Sequence, residues 1–443
     1  MQENQLNRRD FIKNTALAAS AATILPAMVG TAKASPSDTI NIALIGCRSK
    51  GFGILKNSLE YDDVRCVAMC DVDQNMLEER AAEIRDNHGD NPKLYKDYRK
   101  MLEQKDIDAV IIGTPDHWHC LQLVDAVAAG KDVYVEKPMA NTIEECNIMV
   151  RATNYYDRVV QVGQQQRSNK IFMEVMELIK TGTIGALRQV NMWANFNYGL
   201  GATPVPDTPV PEGVDYDMWL GPAPKRPFNR AHFHGSWRHF WNYGGGMFSD
   251  WGVHLIDMGL WAKDQVTAPT QVMTFAANNS NSLKKRDTFD TQTAVFPTKD
   301  YVINYEMIAG VQQGPHPLMY GVKFIGNKGT IEANRHSYTL TPEWDDEKKQ
   351  NMVEARKVES GHESHSEHVR NFLDCVKSRQ TPACPPEVGR AAALHVHVSN
   401  IAARLGEPVL IWDDKNNRFA NCEKANSYIV PRYSAPWTLP KIG

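Results

Sequence analysis

Ile40-Asn41-Ile42-Ala43-Leu44-Ile45-Gly46-Cys47-Arg48-Ser49-Lys50-Gly51-Phe52-Gly53 is the stretch on which the reading of this chain turns. Its first six residues are nearly all apolar, the pattern of a short strand buried on both faces. A glycine-bounded turn then opens a segment at 51–59 that reads as a helix, and a second strand follows at 64–70. The alternation continues: helix at 75–85, strand at 109–112, helix at 121–129, strand at 133–135, helix at 143–155 and a last strand at 159–162. Strands and helices in alternation, joined by right-handed crossovers, give an α/β fold with a doubly wound parallel sheet of the Rossmann type.

Beyond that sheet the pattern changes. After a helix at 170–180, strand-like stretches recur at 187–196, 271–275, 291–296, 301–308 and 322–325 with few helices between the later ones. They predict a C-terminal α+β domain built on a large mixed or antiparallel sheet. The polar, proline-rich stretch 199–229 is expected to be a loop over the surface. Helical spacing at 365–377 and 386–404 suits elements that return to pack on the first domain. The expected division is a leader at 1–34, a nucleotide-binding domain at 39–165, a substrate and oligomerisation domain at 166–425 and a tail at 426–443.

With 443 residues, 42% of them hydrophobic, and with 10 Trp and 14 Phe, the chain can fill more than one sizeable core. A net charge of -3 without long basic runs provides no electrostatic footprint for nucleic acid or an anionic membrane, so a small-molecule partner is expected. Asn7-Arg8-Arg9-Asp10-Phe11-Ile12-Lys13, a weakly apolar run at 16–29 and Ala32-Lys33-Ala34 have the form of a twin-arginine export signal with its cleavage site. The apolar run is short and interrupted by Pro26, which suits a removed signal better than a membrane anchor. The chain is therefore read as periplasmic, with the twin-arginine translocase as a partner. That route carries folded proteins, which suits one that takes up a cofactor before export. The eight cysteines show neither a disulfide framework nor a zinc pattern and read as small buried hydrophobes. Cys66 and Cys70, four apart on one strand, are expected on the same face.

Three segments carry chemistry. In the turn after the first strand, Gly46 and Gly51 bound a helix N-terminus suited to a pyrophosphate, with Arg48 where a middle glycine is usual and able to meet a phosphate. Asp71 closes the second strand where a carboxylate can accept from a ribose diol, and Asp73 beside it favours NAD over NADP. The bland alternative is a glycine pair in a non-binding α/β domain. Glu136-Lys137-Pro138 ends a strand on the ligand side of the sheet, so Lys137 is either a cleft-facing proton donor or hydroxyl-binding group, or half of a surface ion pair. In the run from Gly244 to Asp257, a helix from about Met247 places Asp250 and His254 on one face, with Asp257 three residues further on. An imidazole held by a carboxylate is a base for a carbinol proton; the same triplet could bind a metal or form a buried pair. His232, His234, Trp237, Arg238, Trp241 and Tyr243 form an upstream cluster suited to sugar faces, with packing the alternative role.

These segments, in this order, resemble the Gfo/Idh/MocA oxidoreductase family, which includes glucose-fructose oxidoreductase and inositol dehydrogenases. The resemblance covers nearly all of residues 39–410. It also rests on Thr114-Pro115 followed by His117-Trp118-His119, and on Gln164-Gln165-Gln166-Arg167 after the last strand of the first domain. It implies a catalytic group of Lys137, Asp250 and His254, in which Lys137 and His254 handle the carbinol proton and Asp250 orients or binds substrate. It implies NAD contacts at Gly46, Arg48, Gly51, Asp71, Thr114, Pro115, His119, Glu136, Lys137 and Gln165. Arg167, His232, Trp237, Arg238 and Tyr243 are the expected substrate contacts, no metal is expected, and relatives suggest a homo-oligomer.

Export shapes the expected activity. Free NAD is scarce outside the cytoplasm, so the resemblance implies an NAD-dependent sugar or polyol oxidoreductase that keeps its cofactor and regenerates it in place. The alternative is a glycosidase of the same family, in which transient C3 oxidation acidifies the neighbouring C–H, elimination breaks the glycosidic bond and reduction restores the sugar. Gly361-His362-Glu363-Ser364 departs from the G-H-G-G pattern of those glycosidases. A binding protein built on an inactive dehydrogenase fold is the third reading, disfavoured by retention of all three catalytic candidates.

Overall fold

The computed structural model describes residues 38–314, 316, 318–360 and 364–442. The leader and Gly361-His362-Glu363 lie outside the described residues.

The first domain runs β1 (Ile40–Ile45), α1 (Ser49–Ser58), β2 (Val64–Cys70), α2 (Gln74–His88), β3 (Lys93–Tyr95), α3 (Tyr98–Leu102), β4 (Ala109–Ile112), α4 (Asp116–Ala128), β5 (Asp132–Val135), α5 (Ile143–Tyr156) and β6 (Val160–Val162). Its six strands are all parallel in the order β3-β2-β1-β4-β5-β6. The short β3 and α3 have no signal in the periodicity, because β3 is an edge strand whose first two residues are exposed.

The second domain contains α6 (Lys170–Lys180), β7 (Leu187–Phe196), α7 (Tyr216–Leu220), α8 (Gly246–Trp261), β8 (Gln271–Ala277), β9 (Thr291–Pro297), β10 (Val302–Ala309), β11 (Tyr320–Gly326), β12 (Gly329–Ala333) and β13 (Ser337–Pro342). A small hairpin of β14 (Trp344–Asp345) and β15 (Gln350–Asn351) follows, then β16 (Arg356–Glu359), α9 (His365–Ser378), α10 (Pro386–Leu405), β17 (Val409–Asp413) and β18 (Arg418–Phe419). The ten-stranded sheet is ordered β16-β13-β12-β11-β7-β10-β9-β8-β17-β18. Among its described strands only β7 and β10 pair in parallel, so the sheet is mixed.

The helices α8, α9 and α10 meet at the junction of the halves. α8 is buried nearly all round and packs on α10, β7 and β10. α10 also contacts α5 and β8, while α9 lays Val369, Phe372 and Leu373 into the same core as Ile42, Leu44 and Tyr134 of the first sheet. The tail packs back as well: Trp437 lies edge-on to Trp118 at 4.8 Å, and the Tyr433 hydroxyl donates to Glu145 at 2.6 Å. Among the described residues no helix is long and apolar enough to cross a membrane.

Three expectations are corrected. Cys66 and Cys70 do not share a face: the register slips between Ile42/Cys66 and Ala43/Ala68, and this bulge places Cys66 in one core and Cys70 in the other. The stretch 199–229 is only in part a surface loop: residues 203–213 are largely exposed and irregular, but the rest contains α7 and buries Tyr216, Trp219, Leu220 and Phe228 in an aromatic core with Phe233 and Tyr243. The fourth helix begins at Asp116, five residues before the apolar pattern does, so His117-Trp118-His119 is helical. All eight cysteines are free, seven of them buried.

Candidate active site

The C-terminal ends of β1, β2, β4 and β5 open into a cleft whose other wall comes from the second domain. Gly46, Arg48, Asp71, Thr114, Pro115, Asp116, Glu136 and Lys137 line the first side, and Trp219, His234, Trp237 and Arg238 the second.

Three glycines allow the first wall to close. A Cβ on Gly46, where φ is +89°, would lie 2.9 Å from the carbonyl carbon of Gly113, and one on Gly51 would lie 2.3 Å from the Gly46 oxygen. Gly51 therefore does not line the cleft as expected; it lets α1 approach β1 and β4. Arg48 caps α1 in extended backbone (φ −92°), which any residue adopts, so its side chain is accommodated where a glycine was usual. Asp71 accepts from the Cys47 N–H at 2.7 Å and the Asp73 N–H at 2.9 Å. Burial pushes its carboxyl up to about 6 against these two bonds. Asp73 caps α2, and its Oδ2 lies 2.7 Å from His234 Nε2 on the opposite wall. An acidic acceptor at the end of β2, a helix N-terminus with Arg48 upon it and a glycine junction beneath fit a dinucleotide without a 2′-phosphate.

At the other end, three strand positions away across β1 and β4, Lys137 leaves β5. Its Nζ donates to Asp250 Oδ1 at 2.7 Å and to the Asp250 carbonyl at 3.0 Å, and Arg238 Nε donates to the same Oδ1 at 3.0 Å. Burial alone would raise the Asp250 carboxyl, but Lys137 and Arg238 outweigh it and hold the group well below the usual carboxylate range. Arg238 also stacks on Trp237 at 4.4 Å. Asp116, which the sequence pattern did not single out, lies buried between these groups; burial pushes its carboxyl up to about 8 although Arg238 and Lys137 oppose the shift. Lys50 reaches within 3.9 Å of Glu136 Oε1.

His254 is on the same helix as Asp250, one turn on, but the expected bond between them is not formed, because Asp250 turns to Lys137 and Arg238. His254 Nδ1 meets the Gln166 side-chain amide, whose oxygen faces Arg335 Nε and NH2 at 3.1 and 2.9 Å. Burial, then the nearby Lys137 and Arg335 cations, hold its pKa well below the ordinary value, so the ring is neutral.

Several expected contacts lie elsewhere. Arg167 does not face substrate: it makes a bidentate pair with Asp257, at 2.7 and 2.9 Å, and stacks on Trp261. That pair also removes Asp257 from any metal-binding triplet, and among the described residues no group of three or more His, Cys, Asp or Glu side chains is placed to hold a metal. His232 and Tyr243 sit behind the cleft, against Phe240 and Trp219. His119 lies with its two ring nitrogens 2.9 Å from the Thr114 and Pro138 carbonyls, tying two strand ends together instead of lining the cleft. Gln165 is buried and does not line the cleft either. Trp237 and Arg238 do line it. Trp219 and Arg335 gave no usable signal, and of the Gln164-Gln165-Gln166-Arg167 run it is Gln166 that meets His254, since what brings these residues in is the path of α7 and of the turns after β6 and β12.

Residues 40–164 match the family model described as "Oxidoreductase family, NAD-binding Rossmann fold", and residues 169–285 match "Oxidoreductase family, C-terminal alpha/beta domain". The chain belongs to the Gfo/Idh/MocA oxidoreductase family. Its first domain is that family's NAD-binding domain. Among curated relatives, glycosyl hydrolase family 109 proteins of Shewanella pealeana (strain ATCC 700345 / ANG-SQ1) and Shewanella baltica (strain OS185) are each 27% identical, over 203 and 206 residues. These matches cover 41% and 42% of this chain and less than half of each relative, 44% and 45%. Similar solved folds include levoglucosan dehydrogenase with NADH and levoglucosan (TM-score 0.65, 18% identity, 84% of this chain and 99% of that one). The WlbA dehydrogenase of Bordetella pertussis, in complex with NADH and UDP-GlcNAcA, gives a TM-score of 0.62 at 18% identity over 85% of this chain and 99% of that one.

Two outcomes are expected. The Asp71 carboxylate is expected to accept from the ribose, and protonation would remove that acceptor. NAD affinity of the cofactor-free chain should therefore fall as pH drops through about 6, by up to roughly tenfold per pH unit, in calorimetric titrations, and Asp71→Asn should bind weakly with little pH dependence. Arg167→Ala leaves Asp257 buried and unpaired, so it should cost about 3–5 kcal/mol in urea unfolding without the selective rise in sugar KM that a substrate contact would give.

Proposed function

We propose that this chain is an exported NAD(H)-dependent oxidoreductase that moves hydride between a hydroxyl-bearing carbon of a sugar, glycoside or cyclic polyol and a tightly held nicotinamide. The observation that carries this reading is Lys137 at the end of β5, fixed on an Asp250 carboxylate that Arg238 shares, three strand positions from Asp71 as the ribose acceptor. When bound, the nicotinamide supplies the hydride acceptor and donor. The protein supplies the rest: Lys137 and His254 attend the carbinol oxygen, Asp250 fixes the Lys137 ammonium, and Trp219 and Trp237 wall the cleft against water.

The second reading is the redox-assisted glycosidase, in which the same groups serve a transient oxidation and a later reduction. It is favoured by the family 109 glycosyl hydrolases, to which about two-fifths of the chain is similar. The twin-arginine run supports export, and the uncovered sheet face around Met273, Phe275 and Ile411 would suit a homo-oligomer.

Mass spectrometry of freshly denatured protein should release NAD. In single-turnover absorbance measurements on a panel of glycosides and inositols, Lys137→Ala should slow reduction of the bound cofactor by roughly 10²–10⁴-fold with cofactor content unchanged. A full reduction rate in this variant would place the chemistry elsewhere. Glycoside cleavage without net NADH, lost in the same variant, would select the glycosidase.

Exchanging Arg8 and Arg9 together for lysine should leave the precursor in the cytoplasm, judged by cell fractionation. Unchanged periplasmic recovery in a strain lacking the translocase would refute export by this route.

A further inference from the structure

We infer that residues 212–235 of the second domain are a clasp that shuts the adenosine half of the dinucleotide into the cleft, and that the cofactor enters and leaves only when the contacts of this clasp with the β2–α2 turn break. The inference rests on the oxidoreductase reading for the identity of the occupant, and it concerns the end of the cleft remote from Lys137.

The clasp closes on the turn that follows Asp71. The Asp215 N–H donates to the Val72 carbonyl at 2.8 Å and the Gln74 N–H to the Gly213 carbonyl at 3.0 Å, so Asp73 and Val214 face each other as an antiparallel pair. Asn75 Nδ2 donates to the Glu212 carbonyl at 3.2 Å. A side-chain contact closes the other flank of the turn, with His234 Nε2 2.7 Å from Asp73 Oδ2. His234 is held there in left-handed backbone (φ +62°), its ring centre 3.7 Å from that of Phe233. A non-glycine residue keeps that conformation where its surroundings impose it.

The opposite edge of the clasp is anchored differently. The Trp219 carbonyl accepts from Trp118 Nε1 at 3.0 Å, His117 Nε2 lies 3.2 Å from the same oxygen, and Trp219 is buried with Phe228 and Phe233. Hydrogen bonds at a wet rim exchange with water at small net cost, whereas aromatic side chains leave a core at a large one. Residues 206–213 are exposed, so the clasp opens at the β2–α2 turn and pivots at α7. Between the two edges Met218, Trp219, His234 and Gly235 line the cleft opposite Asp71 and Val72.

This arrangement suits a cofactor that is oxidised and reduced in place. An enzyme that exchanges NADH for NAD in every cycle needs an open adenosine end, because release then limits turnover. A clasp of several hydrogen bonds slows entry and exit alike and leaves the catalytic end free for substrate to come and go.

The test follows NADH fluorescence on uptake by the cofactor-free full chain, and on release when the loaded chain is diluted into excess NAD. A reversible lock is available, because a Cβ built on Gly213 lies 3.6 Å from the Gln74 Cβ, within disulfide range. In the double variant Gln74→Cys, Gly213→Cys, oxidation should slow both uptake and release at least about tenfold relative to the same protein after reduction. The strain of a side chain at Gly213 (φ +81°) is common to both forms and cancels, and the parent given the same oxidant should be unchanged. His234→Ala should speed uptake and release together, by roughly tenfold, the worth of one hydrogen bond to a charged group. A residue that merely touches the cofactor would change release alone. Equal rates in the oxidised and reduced forms, or unchanged uptake in His234→Ala, would overturn the clasp while leaving the oxidoreductase reading in place. If the parent and the reduced variant take up no NADH at all, the reading of the cleft fails and the inference falls with it.

Discussion

A single carboxylate, Asp250, joins the two halves of the molecule at the place where chemistry is expected. It receives Lys137 from the end of a first-domain strand and Arg238 from the turn that precedes its own helix. Removing three charged groups from water is costly, and the contact persists because two cations share one anion within bonding distance. Everything that fixes the relation of β5 to α8 therefore fixes the site. The returning helices do most of this, since α10 touches α5 on one side and α8 on the other, and α9 closes the first sheet.

The neighbouring carboxyls show how far environment outweighs chemical identity. Asp116 and Asp250 line or border the same cavity, yet burial drives Asp116 up to about 8 while the paired cations hold Asp250 ionised. The same logic separates the two acidic residues of α8. Asp250 is shared by two residues of the cleft lining, Lys137 and Arg238, whereas Asp257, two turns on, is taken entirely by Arg167 and serves the core. A helix buried nearly all round must satisfy each charge individually.

Sequence similarity and fold similarity point to neighbours of different chemistry. The local likeness is to family 109 glycosyl hydrolases, and the architectural likeness is to dehydrogenases crystallised with NADH.

The sequence by itself determined the first domain, its cofactor class, and the residues that leave its strands: Asp71, Lys137 and the glycine turn. These are legible because a buried parallel strand is a continuous apolar run and its C-terminal end is fixed relative to the sheet. It also placed Asp250 and His254 on one helical face, from their spacing alone. Tertiary structure decided whom they touch. Arg167 was drawn to Asp257 and away from the cleft, His254 was given to Gln166, and the second half of the expected surface loop became an aromatic wall. Local periodicity records which side of an element is buried, whereas the partner of a buried charge is set by elements distant in the chain, for which the sequence carries no local signal.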